Sequence, residues 1–419
     1  MYRNEFAPKL AISDLRQDLF GRVFRTGGQA WCDSKKYNIK EGKDMKRIFA
    51  MLLCLCMIFA IVACDTKGGN EETTAANGES TTAAGTTENV EAEYKLGMGI
   101  VVGMDSSAAG NAQVDATVAA VVLDKDGKIV VCRIDAVQNK MTVTDGAVEA
   151  DKTFKTKMEL GDDYNMAKYG TSMDWNGDGV VKEWYDQAKA FENYVVGKTV
   201  AEVEAIETQV VEGAGYVIAK DDALLSAGCT IQITDFIAAV AKACKDEQGM
   251  SFKTASEFTL GVAATSFVDA ATVAATAEAD GVVAMYSDFA ASVVVDGKIV
   301  ASLNDAIQPK IAINAAGECT PAEFKGTKRE LKEGYNMAAY GQSMDWNGDG
   351  KVLEWYVQSA EFSKFVVGKT AAEVEAMATQ VVEGAGYVIS ADEALLTAGC
   401  TIQITSIKAV VAKSVTNAR

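Results

Sequence analysis

The segment Met173-Asp-Trp-Asn-Gly-Asp-Gly179 occurs a second time, without a change, as Met344-Asp-Trp-Asn-Gly-Asp-Gly350. Two further segments repeat in the same order after it. They are Val210–Ile218, which returns as Val381–Ile389, and Ala227–Thr234, which returns as Ala398–Thr405. Self-similarity at a fixed spacing indicates one structural unit written twice. A residue kept in both copies has a reason that both share, either folding or chemistry.

Each copy opens with signals for strands and continues with signals for helices. Val114–Leu123 and Lys128–Ile134 are rich in Val and Ile and flank the turn Asp124–Gly127, which predicts a β-hairpin. Lys182–Val196 carries apolar residues at helical spacing, and a capping box begins at Thr199. Strands followed by helices mixed with short strands indicate an α+β fold. We therefore predict two tandem homologous domains, repeat 1 at 93–246 and repeat 2 at 256–415, each a small, mainly antiparallel sheet packed with helices.

The residues before repeat 1 have three different compositions. Residues 65–92 are nearly free of large apolar side chains, which predicts a disordered, low-complexity linker. Residues 45–64 combine a basic start, an apolar run and a terminal Cys64, as a secretory signal peptide does. Residues 1–44 carry no apolar run, and the codons for Lys40-Glu41-Gly42 can contain a bacterial ribosome-binding sequence shortly before Met45. We interpret 1–44 as an artefact of start-codon choice.

The end of the apolar run, Ile61-Val-Ala-Cys64, resembles the lipobox of bacterial lipoproteins. The resemblance implies cleavage before Cys64 and attachment of a diacyl lipid to its thiol. It also implies a location on the extracellular face of the cell membrane, with the bilayer as a partner through the lipid anchor.

The composition excludes several classes of chemistry. The chain has no histidine, which removes the commonest general base and the usual zinc and haem ligand. Catalysis by Ser-His-Asp or Cys-His groups is thereby excluded. The formal net charge of −18 repels phosphate backbones, so we expect no nucleic-acid partner.

The repeated acidic loop has half of a calcium-binding pattern. Oxygen-bearing side chains at positions 1, 3 and 5, with glycine at position 6, are what an EF-hand loop uses to surround a hard cation. The loop resembles EF-hand or dockerin loops, although Tyr185 stands where the acid of position 12 belongs and Glu183 lies two places early. The alternative is a polar turn that leads into a helix, with aspartates making local hydrogen bonds. The six candidate calcium ligands are Asp174, Asn176, Asp178, Asp345, Asn347 and Asp349.

A second repeated segment, Asp222–Thr230 and Asp392–Thr401, ends in Gly-Cys-Thr ahead of the last helix of each copy. It resembles the attachment segment of secreted FMN-binding domains, in which Asp-x-x-Ser/Thr-Gly-Ala-Thr precedes an amphipathic helix. The resemblance implies that a flavin transferase links FMN to the threonine. The matching residues are Gly228 and Thr230 in repeat 1 and Gly399 and Thr401 in repeat 2.

This segment departs from the family pattern, because Cys229 replaces the alanine and the acid lies further upstream. The alternative is an inner strand at 230–233, with Cys229 as a small buried apolar residue.

Two functions follow from these patterns. The first is a surface-anchored lipoprotein that carries FMN and passes electrons from a membrane donor to an outer acceptor. The second is a non-catalytic lipoprotein of the cell surface that binds a partner through its tandem, calcium-stabilised domains. An enzyme is not favoured, because the chain has no histidine and no nucleophile motif.

Overall fold

The computed structural model describes residues 91–149 and 152–419, without the side chains at 169–172 and 340–343. The predicted extension, the signal peptide with Cys64 and most of the predicted linker lie outside the described residues. Both repeats belong to one compact unit, 85–419. The described part mixes helices with antiparallel sheets, which confirms the α+β prediction. None of the described helices is both long and apolar enough to cross a membrane.

Sheet 1 is built from the start of repeat 1 and one strand of the connection. Its order is β3-β2-β1-β7, and every pair is antiparallel. The apolar run and the Val/Ile-rich segment predicted as strands lie within β2 and β3. The strands are β1 (Ala92–Gly103), β2 (Asn111–Leu123), β3 (Ile129–Thr142) and β7 (Met250–Thr254).

Sheet 2 is built from repeat 2 and one short strand of repeat 1. Its order is β12-β11-β9-β8-β4, and β10 also pairs with β9. The strands are β4 (Thr153–Phe154), β8 (Thr259–Val268), β9 (Gly281–Val295), β10 (Lys298–Ile307), β11 (Lys310–Ile313) and β12 (Cys319–Pro321).

In each repeat the helices and one short hairpin follow the long strands, in the same order. In repeat 1 they are α1 (Lys157–Leu160), α2 (Trp184–Val195), α3 (Val200–Glu204), β5 (Thr208–Val210), β6 (Val217–Ala219), α4 (Asp222–Ser226) and α5 (Thr234–Cys244). In repeat 2 they are α6 (Lys328–Leu331), α7 (Trp355–Phe365), α8 (Ala371–Glu375), β13 (Thr379–Val381), β14 (Val388–Ser390), α9 (Glu393–Thr397) and α10 (Thr405–Thr416). Short 3₁₀ helices occupy Gly161–Tyr164, Met166–Met173, Lys332–Tyr335 and Met337–Met344.

The inner faces of the two sheets pack against each other. Along β2, alternate residues such as Val114 and Val118 join a buried cluster that also contains Val262 of β8 and Phe289 of β9. The other face of β2 packs on the helices of repeat 1 through residues such as Val121. A strand that is buried on both faces has a continuous apolar sequence, and this explains the run in β2. The architecture is therefore four layers: helices, sheet 1, sheet 2 and helices.

Contacts between the repeats are reciprocal. Lys242 Nζ of repeat 1 lies 2.7 Å from a carboxylate oxygen of Glu330 and 2.9 Å from the Ile100 carbonyl oxygen. The equivalent Lys413 Nζ of repeat 2 lies 2.7 Å from Glu159 and 2.6 Å from the Ala264 carbonyl oxygen. The same patch of each repeat thus meets the other, as in an isologous interface. The predicted tandem units share one core, and repeat 1 contributes the short strand β4 to sheet 2.

Glycine allows the last helix of each repeat to lie close to its sheet. A Cβ built on Gly97 of β1 would lie 2.0 Å from the Ala243 carbonyl oxygen of α5. A Cβ on Gly261 of β8 would lie 1.8 Å from the Ser414 carbonyl oxygen of α10. Both distances are shorter than any real contact. Only a glycine at these two positions therefore allows the helix to pack at its observed distance from the sheet.

We expect Gly97→Ala to lower the free energy of unfolding by roughly 1–3 kcal/mol, because α5 must move away from the sheet. Urea denaturation followed by circular dichroism measures the change. Gly103→Ala is the matched control, since no atom lies within 4 Å of a Cβ at this end of the same strand. Equal stability of the two variants would contradict the role given to Gly97.

Candidate binding surface

The hairpin of β5 and β6 is closed by the residues Glu-Gly-Ala-Gly. The Val211 amide donates to the Tyr216 carbonyl at 2.8 Å, and the Gly215 amide donates back to the Val211 carbonyl at 3.0 Å. Gly213 and Gly215 have φ values of 78° and 75°, which glycine adopts without a steric cost. The hairpin of β13 and β14 has the same sequence and the same hydrogen bonds.

The Asp174–Gly179 loop is fixed by its own side chains. The Asp174 carboxylate accepts from the amides of Asp178 at 3.1 Å and Gly179 at 2.8 Å. Asn176 Nδ2 donates to the Leu225 carbonyl at 3.1 Å, which ties the loop to α4. The Asp345–Gly350 loop repeats these hydrogen bonds.

Loop and hairpin meet at a pair of aromatic rings. The ring centroids of Trp175 and Tyr216 are 6.4 Å apart at an interplanar angle of 39°. The counterparts in repeat 2 are 6.1 Å apart at 37°. Val210 is 67 % exposed and Tyr216 45 % exposed, which is unusual for apolar residues in a strand and its turn. We call Trp175, Val210, Glu212 and Tyr216, with their counterparts Trp346, Val381, Glu383 and Tyr387, the shared surface.

The repeats are identical along an exposed segment as well as along buried ones. Residues 208–218 and 379–389 are the same at every position, although most of them are exposed. Other positions differ, including some buried ones: Phe236 of α5 corresponds to Ile407 of α10, and Ala243 to Ser414. Surface positions without a special role tolerate change. The invariance of the exposed hairpin therefore indicates a function that both copies perform.

The acidic loop has some features of a cation site and lacks others. Both oxygens of Glu183 accept backbone amides, from Met166 at 2.8 Å and Ala167 at 3.0 Å, and Glu354 does the same in repeat 2. The described residues contain no group of three or more Asp, Glu or Cys arranged for a metal. The side-chain oxygens of Asn176 and Asn347 are nevertheless buried without a partner. The hydrogen bonds favour the polar-turn alternative, and calcium binding stays a prediction.

The candidate attachment threonines are buried. Thr230 is 2 % exposed and Thr401 4 % exposed. Gln187 Oε1 of α2 accepts from the amides of Thr230 at 2.8 Å and Ile231 at 3.0 Å. Gln358 of α7 holds Thr401 in the same way. These hydroxyls do not fit a bulky FMN phosphodiester, because attachment would require the segment to leave the core.

The segment predicted as an inner strand at 230–233 is irregular instead. The Gln187 side-chain oxygen accepts the amides of Thr230 and Ile231, and only the Ile233 amide donates to a strand, at the Val217 carbonyl of β6. Gly228 and Gly399 precede it with φ values of 85° and 87°. Cys229 and Cys400 are fully buried, and burial raises the pKa of each thiol to about 12. Both cysteines are therefore packing residues, and Gln187 has a role that its sequence context did not reveal.

A buried charged cluster in repeat 2 is not part of the shared surface. Lys328 Nζ donates to the Tyr286 hydroxyl at 2.9 Å and lies over the rings of Tyr286, Tyr335 and Trp355 at 4.6, 4.9 and 5.3 Å. Burial lowers the pKa of Lys328 to about 8, against the opposing effect of Asp288. Lys157 of repeat 1 lies over two rings in the same manner.

The acid of this cluster has no counterpart in repeat 1. Asp305 of sheet 2 pairs with Phe289, and the equivalent Asp135 of sheet 1 pairs with Val118. The residue before each partner is Asp288 in repeat 2 and Thr117 in repeat 1, so a threonine stands where the acid would be. Asp288 is 1 % exposed, and neither carboxylate oxygen has a hydrogen-bond partner within the described part of the chain. Burial raises the pKa of its carboxyl to about 6.

Comparison with family models, with curated proteins and with solved structures returned no match. The function therefore has to be inferred from the chain itself.

We expect Gln187→Leu to lower the free energy of unfolding by about 3 kcal/mol, because two buried amides lose their acceptor. Thermal and urea denaturation measure the effect. Gln232→Leu is the control, since Gln232 is exposed on the segment that Gln187 holds. If Gln187→Leu were as stable as Gln232→Leu, the amides of Thr230 and Ile231 would have found other hydrogen-bond acceptors.

We expect Asp288→Asn to stabilise the protein by roughly 2–3 kcal/mol at neutral pH, because the cost of burying the Asp288 carboxylate exceeds the attraction of Lys328, which favours its charged form. The folded-state pKa of about 6 exceeds the unfolded value of about 3.9, so the wild type loses stability as the pH rises through this window. The gain should shrink as the pH falls and vanish near pH ~4. Urea denaturation across this pH range measures the gain in the free energy of unfolding, with the exposed Asp126→Asn as control. A gain that does not change with pH would contradict the raised pKa assigned to Asp288.

Proposed function

We propose that this chain is a non-catalytic binding protein, anchored through Cys64 to the outer face of the cell membrane, that presents one binding surface twice. The observation that carries the proposal is the identity of the exposed hairpins at 208–218 and 379–389. We also propose that the repeats are homologous units of a duplicated chain, since their helices and hairpins follow in the same order.

The chemistry of the shared surface suits binding. Its members are two aromatic rings, an exposed valine and a carboxylate, none of which forms a nucleophile with a neighbouring base. Exposed aromatic residues are over-represented where proteins bind partners. The alternative of an FMN-carrying electron-transfer protein, with its flavin transferase and membrane donor, has less support because Thr230 and Thr401 are buried and hydrogen-bonded.

Two copies on one framework give a bivalent protein. Because the repeats share a core, their surfaces are carried on a common support. The second contact then forms at a high effective concentration, which strengthens the overall affinity without a new kind of contact. The predicted linker at 65–92 would hold this support at a distance of roughly 30 Å from the anchor.

The proposal is tested by the binding of the lipid-free Cys64→Ala protein to washed cells of the producing organism. We expect Tyr216→Ala with Tyr387→Ala to abolish binding, and each single change to weaken it by about 10- to 100-fold through the loss of bivalency. Val273→Ala is the control, because it shortens an exposed apolar side chain, 54 % exposed, that lies outside the shared surface. All variants should unfold at the same urea concentration as the parent.

Two results would contradict the proposal. One is undiminished cell binding by the double variant. The other is a yellow native protein whose mass includes FMN at Thr230 or Thr401, which would establish the electron carrier. Repeating the assay with calcium and with a chelator shows whether the acidic loops need the cation.

A further inference from the structure

The charges that the repeats share near the surface are all negative. Within the identical segments 172–179 and 208–218, and their counterparts, the charged residues are aspartate and glutamate only. Repeat 1 does have an ion pair beside the hairpin, between Glu207 and Lys220 at 2.8 Å. In repeat 2 both partners are alanines, Ala378 and Ala391. The Glu207–Lys220 ion pair, which has no net charge, is therefore not needed in both copies, whereas the acidic residues of the loop and the hairpin are present in both.

The hairpin carboxylate is exposed in the turn that leads to Tyr216. Glu212 and Glu383 are exposed and form no ion pair or hydrogen bond among the described residues. The half-buried Trp175 and the exposed Tyr216 lie on the same hairpin-and-loop surface. A cation above Trp or Tyr rings is attracted by their π-electrons, and a nearby carboxylate adds to that attraction.

The backbone next to these side chains is open. The outer edge of β5, Thr208–Val210, pairs with no strand other than β6 in the described part of the chain, and all three residues are exposed. β13 has the same open edge. An extended peptide can add to such an edge through main-chain hydrogen bonds, with its side chains directed to neighbouring pockets and charges.

We propose that each copy of the shared surface binds an extended, basic segment of a partner protein. A Lys or Arg of that segment lies on the rings of Trp175 and Tyr216 and pairs with Glu212, and repeat 2 uses Trp346, Tyr387 and Glu383 in the same way. The net charge of −18 favours the approach of a basic partner over that of an anionic lipid or polymer. The proposal rests on the proposed function and names its ligand.

Calorimetric titration of the protein with a short synthetic peptide of alternating lysine and serine tests the proposal. We expect two peptides per chain and an affinity that falls with added salt. Glu212→Gln with Glu383→Gln should weaken binding about tenfold, the loss of a charge-assisted contact at each site. Glu212→Gln alone should leave one site at the original affinity and make the other about tenfold weaker.

Glu207→Gln is the matched control, because it removes the same charge next to the hairpin at a position that the repeats do not share. It should change the affinity by less than about twofold. The same peptide with acetylated lysines should not bind, since it keeps the backbone and loses the charge.

Three outcomes would overturn the inference: no binding of the basic peptide, equal binding of the acetylated peptide, or equal losses in Glu207→Gln and in the Glu212 and Glu383 variants. If the tyrosine double variant has lost cell binding while the basic peptide fails to bind, the proposed function stands and the ligand is of another class, such as a neutral glycan.

Discussion

The structure depends on the burial of two sheet faces against each other. Each sheet is apolar on both sides, and the helices of its own repeat cover only one side. Residues such as Val114 and Leu260 would be exposed in an isolated repeat, whereas both are fully buried here. Full burial of one such side chain contributes roughly 1.5–3 kcal/mol, and many line this interface. The two copies are thus halves of one hydrophobic core, and linking them in one chain removes the concentration dependence of their association.

A polar cluster fixes how the halves meet. Asn139 Nδ2 of sheet 1 donates to Ser266 Oγ of sheet 2 at 2.6 Å, and Ser266 Oγ lies 2.7 Å from Ser287 Oγ. All three are almost fully buried, so sliding the sheets would break these hydrogen bonds and leave further buried polar groups without partners, as Asn139 Oδ1 already is among the described residues. The apolar residues around them would accept several settings. The reciprocal ion pairs of Lys242 and Lys413 at the margins agree with the same arrangement.

Sequence reasoning identified the elements better than their partners. The apolar run at 114–123 and the Asp124–Gly127 turn predicted β2, β3 and their hairpin, because β-branched residues and turn glycines act locally. The joint core was not predicted, since a strand that is apolar on both faces does not reveal what covers each face. The strand predicted at 230–233 was wrong because the Gln187 side chain accepts the amides of Thr230 and Ile231, so only the Ile233 amide pairs with a strand.

The sequence also did not reveal which faces of the shared surface are exposed. The duplication marked the loop and the hairpin as important, but the exposure of Val210 and Tyr216 could be seen only in the fold, because apolar residues in a strand pattern are expected to be buried. The core explains how the two surfaces can act together. Its buried positions accept some changes, such as Phe236 to Ile407, because neighbouring side chains repack. The identity of the exposed hairpins is what the proposed binding function would explain. For the binding function proposed above, a common support would favour a ligand whose two contact points match the spacing of the surfaces.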